Sequence, residues 1–201
     1  MNKHTQEAMG PPRQRPNLRV LEGQQRVAAI SAILKERDVS AIVGVRTIAC
    51  DAATEHTDGS TELPKLRELI ASALLSRCLM PIRLRGAEMK AMRKGMRMTL
   101  GDLAERLGGK TAPETISRWE SEAQAIGPHA EKVLRLVVCE ELKKDAPGIT
   151  YDASMLAGMN DIDDPWAIDP NYQINPIILV YMPMKVDNSV IDAWNEKKHA
   201  A

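Results

Sequence analysis

The sequence predicts an α+β protein, with a small α/β module at the N-terminus, an all-helical middle and a C-terminal extension. The 201 residues are 44% apolar, but only 3% are aromatic and Phe is absent. Such a core must rest on Leu, Ile, Val, Ala and Met, which favours helices over a large antiparallel sheet. The length suits one medium domain or two small ones that fold without disulfides or metal.

The N-terminal part is predicted as an arm followed by a module. Residues 1–20 are rich in Pro, Gln and Arg, which predicts a flexible basic arm. In the module, residues 21–82, RVAAISAILKERD fits a short helix or a strand, and VSAIVGVRTIAC (39–50) is typical of a strand. DAATEHTDGS predicts a hairpin or connecting loop, with a turn at Asp58-Gly59. Pro64 then begins the amphipathic helix in ELPKLRELIASALLSR.

The middle, residues 83–145, is predicted as a series of short helices. In GAEMKAMRKGM, three methionines share one face, which we interpret as core rather than as a metal or ligand site: Met89, Met92 and Met96. In MTLGDLAERLGG, Thr99 is a suitable N-cap with Asp102 three residues later. Gly108-Gly109 is a helix stop.

A second short helix is predicted over residues 112–121, because Thr111-Ala-Pro-Glu114 has the form of a capping box. Ile116 and Trp119 lie on one side of this helix, three residues apart. The helix that follows, in HAEKVLRLVVCEEL, is amphipathic, with an apolar stripe of Ala130, Val133, Leu134, Val137 and Val138.

The extension, residues 146–201, is predicted to hold Pro- and Asp-rich loops, a strand at PIILVYMPMKV and a short last helix around NSVIDAWNEKK. Its segment IDDPWAIDP lacks the spacing of a calcium loop and is interpreted as a solvated acidic loop.

The net charge of zero hides two opposite regions. From Arg83 to Glu120 there are nine Lys and Arg against five Asp and Glu, a net of +4, whereas residues 145–170 hold six Asp and no base. A basic middle is typical of a nucleic-acid contact.

Localisation and enzymatic class are also predicted. No apolar run approaches the roughly 18 residues of a membrane span, and the N-terminus lacks the apolar region of a secretory signal. Three scattered cysteines without a CxxC motif fit free thiols in a reducing cytoplasm. The sequence contains no G-x-S-x-G, P-loop, HExxH or Rossmann glycine pattern, so we expect neither an enzyme nor a cofactor.

The stretch LGGKTAPETISRWE has the features that a DNA-reading helix-turn-helix requires. Small residues allow the turn, a cap opens the second helix, and apolar residues occupy only its inner face. TLGDLAERLGGKTAPETISRWES resembles the helix-turn-helix of the XRE/Cro superfamily. Residues 39–140 are similar, segment by segment, to the MqsA (YgiT-type) antitoxin-like group, whose N-terminal zinc module precedes a helix-turn-helix.

The sequence departs from these families at three places. Only Cys50 stands where a zinc cysteine falls, and Cys50 with His56 cannot supply four ligands, so residues 21–82 are predicted to bind no metal. Leu100 replaces a frequent Gln, and the turn is about two residues longer than the family pattern.

The resemblance implies DNA contacts for particular residues. Arg118 matches the arginine of the reading helix and can pair with guanine, while Glu114 and Thr115 can read neighbouring bases. The expected phosphate contacts are Lys110, Thr111, Ser117, Arg93, Lys94 and Arg97. Arg118 and Glu120 can instead form a surface ion pair without a role in DNA binding.

The sequence therefore predicts a transcriptional regulator that binds double-stranded DNA, as a homodimeric repressor on an inverted repeat. The alternative is an antitoxin-like inhibitor that grips a toxin or another regulator and binds DNA for autoregulation. In a third hypothesis, residues 145–201 bind a partner or line the dimer, with PIILVYMPMKV as a pairing edge.

Overall fold

The computed structural model describes residues 36–51, 54–55, 61–159, 162–186 and 189–196. The predictions for residues 1–35, for the Asp58-Gly59 turn and for His56 lie outside the described residues. The described part is a mixed α+β protein.

A four-stranded mixed sheet joins the two ends of the described chain. Its strands are β1 (Glu36–Asp38), β2 (Thr47–Cys50), β5 (Ile177–Val186) and β6 (Ser189–Glu196), in the order β1-β2-β5-β6. β2 and β5 are parallel, and the two outer pairs are antiparallel. A separate small hairpin pairs β3 (Thr54–Glu55) with β4 (Thr61–Glu62).

The helices lie mainly in the long connection between the two parallel strands. They are α1 (Ser40–Val43), α2 (Leu66–Leu79), α3 (Gly86–Gly95), α4 (Leu100–Arg106), α5 (Pro113–Glu120), α6 (Pro128–Leu142) and α7 (Ala153–Ala157). Short 3-10 turns follow at Lys143–Asp145 and Pro165–Ala167. Parallel neighbours need a crossover connection, and here α2 to α7 all belong to it. In the described ranges, no helix combines the length and the apolar character needed to cross a bilayer.

The strand predicted over residues 39–50 is only half correct. Its first half forms α1, because the Asp38 carboxylate accepts the Ser40 N–H at 2.8 Å and turns the chain into a helix. Gly44 then ends α1 in the left-handed region, with φ of 84°. Strand geometry resumes at Thr47, and β2 occupies the second half.

The last helix predicted around NSVIDAWNEKK is wrong, since that segment forms β6. It pairs antiparallel with β5 from Val186 opposite Ser189 to Leu179 opposite Glu196. Trp194 is fully buried beside Tyr181, with 5.3 Å between the ring centroids, and its Nε1 donates to the Pro64 carbonyl at 3.2 Å. The strand predicted at PIILVYMPMKV is confirmed as β5.

α2 is the central helix of the described fold. It contacts α1, α3, α6, β5 and β6, and every residue from Ala71 to Cys78 is buried. The helix begins at Leu66, two residues after the predicted start at Pro64, with Lys65 as its N-cap. Because the helix is covered on several sides, its buried surface is wider than the single apolar stripe that the sequence predicts.

Two buried arginines clamp the chain between α2 and α3. Arg77 pairs with Glu88 at 2.7 Å and donates to the Ile82 and Arg83 carbonyls. Arg135 pairs with Glu131 at 2.6 Å and donates to the carbonyls of Cys78, Met80 and Ile82. Neither arginine has any exposed surface. The Cys78 carbonyl is in the last turn of α2 and the others follow that helix, so none has a helical N–H to accept, and the guanidinium groups supply these hydrogen bonds.

Because Glu131 and Arg135 of this clamp are buried, the buried face of α6 differs from the apolar stripe that the sequence predicts. The buried residues of the helix are Glu131, Leu134, Arg135, Val138, Cys139 and Leu142. Leu134 and Val138 belong to both sets, whereas Ala130, Val133 and Val137 are only half-buried.

Candidate nucleic-acid interface

α4 starts and stops as its sequence predicts. The Thr99 side chain accepts the Asp102 N–H at 3.1 Å, and the Asp102 carboxylate accepts the Thr99 N–H at 2.8 Å. The hydrogen bond from the Thr99 N–H to the carboxylate is the main cause that lowers the pKa of Asp102. Beyond the helix, Gly108 and Gly109 have φ of 94° and 69°, a conformation that side-chain-bearing residues rarely adopt. The chain can therefore turn sharply between α4 and α5.

The start of α5 differs from the predicted capping box. Ala112 is the N-cap and Pro113 the first helical residue, so Thr111 stands one position too early to cap. A proline disfavours helical geometry in the residue before it, which keeps Ala112 extended with ψ of 147°. The helix spans Pro113–Glu120 rather than residues 112–121.

We expect Thr99→Ala to lower the free energy of unfolding by about 1 kcal/mol, since it removes a working N-cap. Thr111→Ala is the matched control and should change it by less than about 0.5 kcal/mol. Urea denaturation followed by circular dichroism measures both. An equal loss in the two variants would contradict the observed capping.

α5 is divided into a buried side and an exposed side. Ile116 and Trp119 are 3% and 6% exposed and face the bundle, where α5 contacts α3 and α4. Glu114, Ser117 and Arg118 are exposed, and Thr115 is half-buried. The polar side that the sequence predicts for base reading therefore faces solvent.

The C-terminal end of α5 is braced against α3 by an ion pair. Arg93 donates to the two Glu120 carboxylate oxygens at 2.7 and 2.9 Å and to the Met98 carbonyl at 3.0 Å. The two side chains are only 13% and 8% exposed. The prediction that Arg93 contacts phosphate is therefore wrong, because its guanidinium is hydrogen-bonded inside the protein. Glu120 pairs with Arg93 and not with Arg118, so the surface ion pair considered as an alternative from the sequence is not observed.

A second ion pair holds the loop after α5. Arg85 donates to both Glu122 carboxylate oxygens at 2.7 Å, and the Gly86 N–H donates to the same carboxylate at 2.9 Å. These bonds, those from Arg85 first, lower the pKa of Glu122. A Cβ on Gly86 would lie 2.5 Å from the Glu120 carbonyl oxygen, so α3 approaches the end of α5 closely only because residue 86 is glycine.

The remaining predicted cations are exposed around α5. Lys110 lies in the turn before it, and Lys94 and Arg97 lie at the end of α3. Within the described ranges, the structure gives no hydrogen bond or ion pair to the side chains of Lys94, Arg97, Lys110, Glu114 or Arg118. Ser117 is exposed and Thr111 half-buried. These groups are available to a ligand.

The residues that position α5 were missing from the sequence prediction. Arg85 appears there only within a charge count, Glu120 only as an alternative partner of Arg118, and Glu122 not at all, since their actual partners are distant in sequence. The one available signal was that Glu120 follows the buried Trp119 directly, which places its carboxylate at the edge of the core.

Comparisons of the chain with family models, curated proteins and solved structures find no match. The resemblance to the XRE/Cro superfamily and to the MqsA-like group therefore stays a prediction.

Proposed function

We propose that the protein is a sequence-specific DNA-binding regulator whose helix α5 enters the major groove. One observation carries the proposal: α5 is fixed at its inner side and its C-terminal end, while an arginine without a partner among the described residues projects from its outer side. Ile116 and Trp119 anchor it, Arg93 braces it, and Arg118 faces solvent. A preorganised helix with free polar groups has the form that groove recognition requires.

In this proposal, residues 83–145 form a helix-turn-helix domain of the XRE/Cro type. α4, the turn at Gly108-Gly109 and α5 make the motif. α3 packs against α5, and α6 packs against α3 and is joined to α4 by the Arg106–Glu141 ion pair. The division into residues 1–20, 21–82, 83–145 and 146–201 remains part of the proposal, although β2 and β5 from the second and fourth parts share one sheet.

We assign base contacts to the exposed side of α5. Arg118 suits a bidentate pair with guanine O6 and N7, Glu114 can accept from cytosine N4, and the Thr115 methyl can meet a thymine methyl. Lys94, Arg97, Lys110, Thr111 and Ser117 are assigned to phosphates, which set the register without carrying sequence information.

A homodimer on an inverted repeat extends the proposal. Two copies of α5 would then enter successive major grooves about 34–36 Å apart. Repression is the expected sign of regulation, by analogy with the families that the sequence resembles.

Selection of bound duplexes from a random-sequence pool tests the proposal without knowledge of the operator. We expect enrichment of one motif, arranged as two inverted half-sites. A pool that stays random after repeated rounds at moderate salt would contradict sequence-specific binding and would leave the antitoxin-like alternative, in which a protein partner is the main target.

A further inference from the structure

A cleft of about 320 Å³ lies beside the C-terminal end of α5. Three chain segments meet there: residues 83–86 at the start of α3, residues 122–126 after α5, and residues 164–167 of the extension. We propose that this cleft binds a small aromatic carboxylate. The site stands on its own geometry and does not require that the protein bind DNA.

Two tryptophans line the cleft. Trp119 lines the cleft from α5, and Trp166 lines it from the extension. Trp166 is itself fixed, because its Nε1 donates to the Tyr172 carbonyl at 2.9 Å and the Arg85 guanidinium lies 5.1 Å from its ring centroid. Indole faces favour a planar ring that stacks offset or edge-on.

Two guanidinium groups line the same cleft with donors to spare. Arg83 uses Nη1 for Asp164 at 2.8 Å and Nη2 for the Ile126 carbonyl at 3.0 Å. Arg85 uses Nε and Nη2 for Glu122. Among the described residues, Arg83 Nε and Arg85 Nη1 have no hydrogen-bond partner. Guanidinium nitrogens only donate, so these sites fit an acceptor.

Trp119 supplies a third unused donor. Its Nε1 is buried and lacks a hydrogen-bond partner in the described part of the chain. Buried N–H groups are paired in most folded proteins, and this exception belongs to a residue that lines the cleft. A ligand oxygen that reaches this N–H satisfies a donor that folding leaves unused.

The donor set and the size select the ligand class. Asp164 and Glu122 already neutralise the two arginines, so an anion binds only if its oxygens accept hydrogen bonds from the free N–H groups directly. The volume is at the lower end of the range for small-molecule sites, which favours a single ring over a larger ligand.

Benzoate is the probe, and the indole N–H signals of uniformly ¹⁵N-labelled full-length protein are the readout. We expect saturable shifts of the Trp119 and Trp166 signals with a Kd of about 1 mM or tighter. Trp194 is buried in the sheet and should not move. Each signal is assigned from a single Trp→Phe variant. Benzamide, the neutral isostere, should bind at least fivefold more weakly.

Variants distinguish benzoate binding in the cleft from non-specific binding elsewhere on the protein. Arg85→Gln and Trp166→Leu should each weaken benzoate binding at least fivefold, whereas Arg67→Gln, in an exposed ion pair with Asp145, should not. An unchanged Trp194 signal shows that a variant is folded. The proposal is overturned if benzoate does not saturate, if benzamide binds equally, or if both cleft variants bind like the wild type. None of these outcomes depends on DNA, so they differ from a failed duplex selection.

Discussion

Arg135→Met is expected to lower the free energy of unfolding by about 3–5 kcal/mol, the usual loss when one partner of a buried ion pair is removed. The substitution leaves the Glu131 carboxylate buried without its cation. It also removes the donors to the carbonyls of Cys78, Met80 and Ile82. Urea denaturation followed by tryptophan fluorescence measures the loss.

Arg106→Met is the matched control for that experiment. Arg106 also pairs with a glutamate, Glu141, but the two side chains are 56% and 30% exposed. Exposed pairs contribute about 0–1 kcal/mol, so the control should remain close to the wild type. Equal losses in the two variants would show that Arg135 does not act as a buried clamp.

Trp194→Ala is expected to lower the free energy of unfolding by about 3–5 kcal/mol, the range for large aromatic residues removed from a core. Trp194 is fully buried on β6, packs against Tyr181 and donates to Pro64. Its loss opens a cavity where the sheet meets the start of α2. Thermal and urea unfolding of the variant provide the measurement.

Trp166→Ala tests whether any tryptophan has the same effect. Trp166 lies on the segment that follows α7 and is only half-buried. Its substitution should lower the free energy of unfolding by less than about 1.5 kcal/mol, because folding buries less of its apolar surface. Were Trp194→Ala to cost no more than Trp166→Ala, the placement of the last strand in the core would be contradicted.

Local signals in the sequence were sufficient for α3 and α4. Met89 and Met92 are buried as the spacing predicts, Thr99 caps α4, and the glycine pair after Leu107 ends it. Each of these features depends on residues within one or two helical turns, where periodicity and capping act directly.

The two errors at the sheet have different causes. The segment of β6 was predicted as a helix, but its pairing with β5 outweighs its local preference. Residues 39–50 have β-branched composition throughout, yet Asp38 and Gly44 begin and end a helix inside the segment. Strand propensity depends strongly on tertiary context, so composition alone could not divide this segment.

The buried arginines escaped prediction because periodicity treats charged residues as exposed. Glu131 and Arg135 are four residues apart, a spacing that is equally typical of a solvated surface pair. What buries them is the irregular segment at residues 80–84, whose carbonyls need donors. That requirement is visible only in three dimensions.

The exposed side of α5 was better predicted than the ion pairs that hold the helix in place. The separation of Ile116 and Trp119 from Arg118 follows from helical spacing alone. The bracing pairs Arg93–Glu120 and Arg85–Glu122 join residues 27 and 37 positions apart. Such partners cannot be chosen from one sequence, in which many charges are available.

The affinity of Arg118→Ala for a selected duplex is the most direct test of the account. We expect binding to weaken by about tenfold to a hundredfold, equivalent to ~1–3 kcal/mol for one bidentate guanine contact. The matched control, Arg67→Ala, removes the same charge from exposed surface on α2 and should bind nearly as the wild type does. Fluorescence anisotropy at fixed salt measures all three proteins. If Arg118→Ala binds the duplex as tightly as Arg67→Ala, helix α5 does not read DNA through this residue, and the central claim fails.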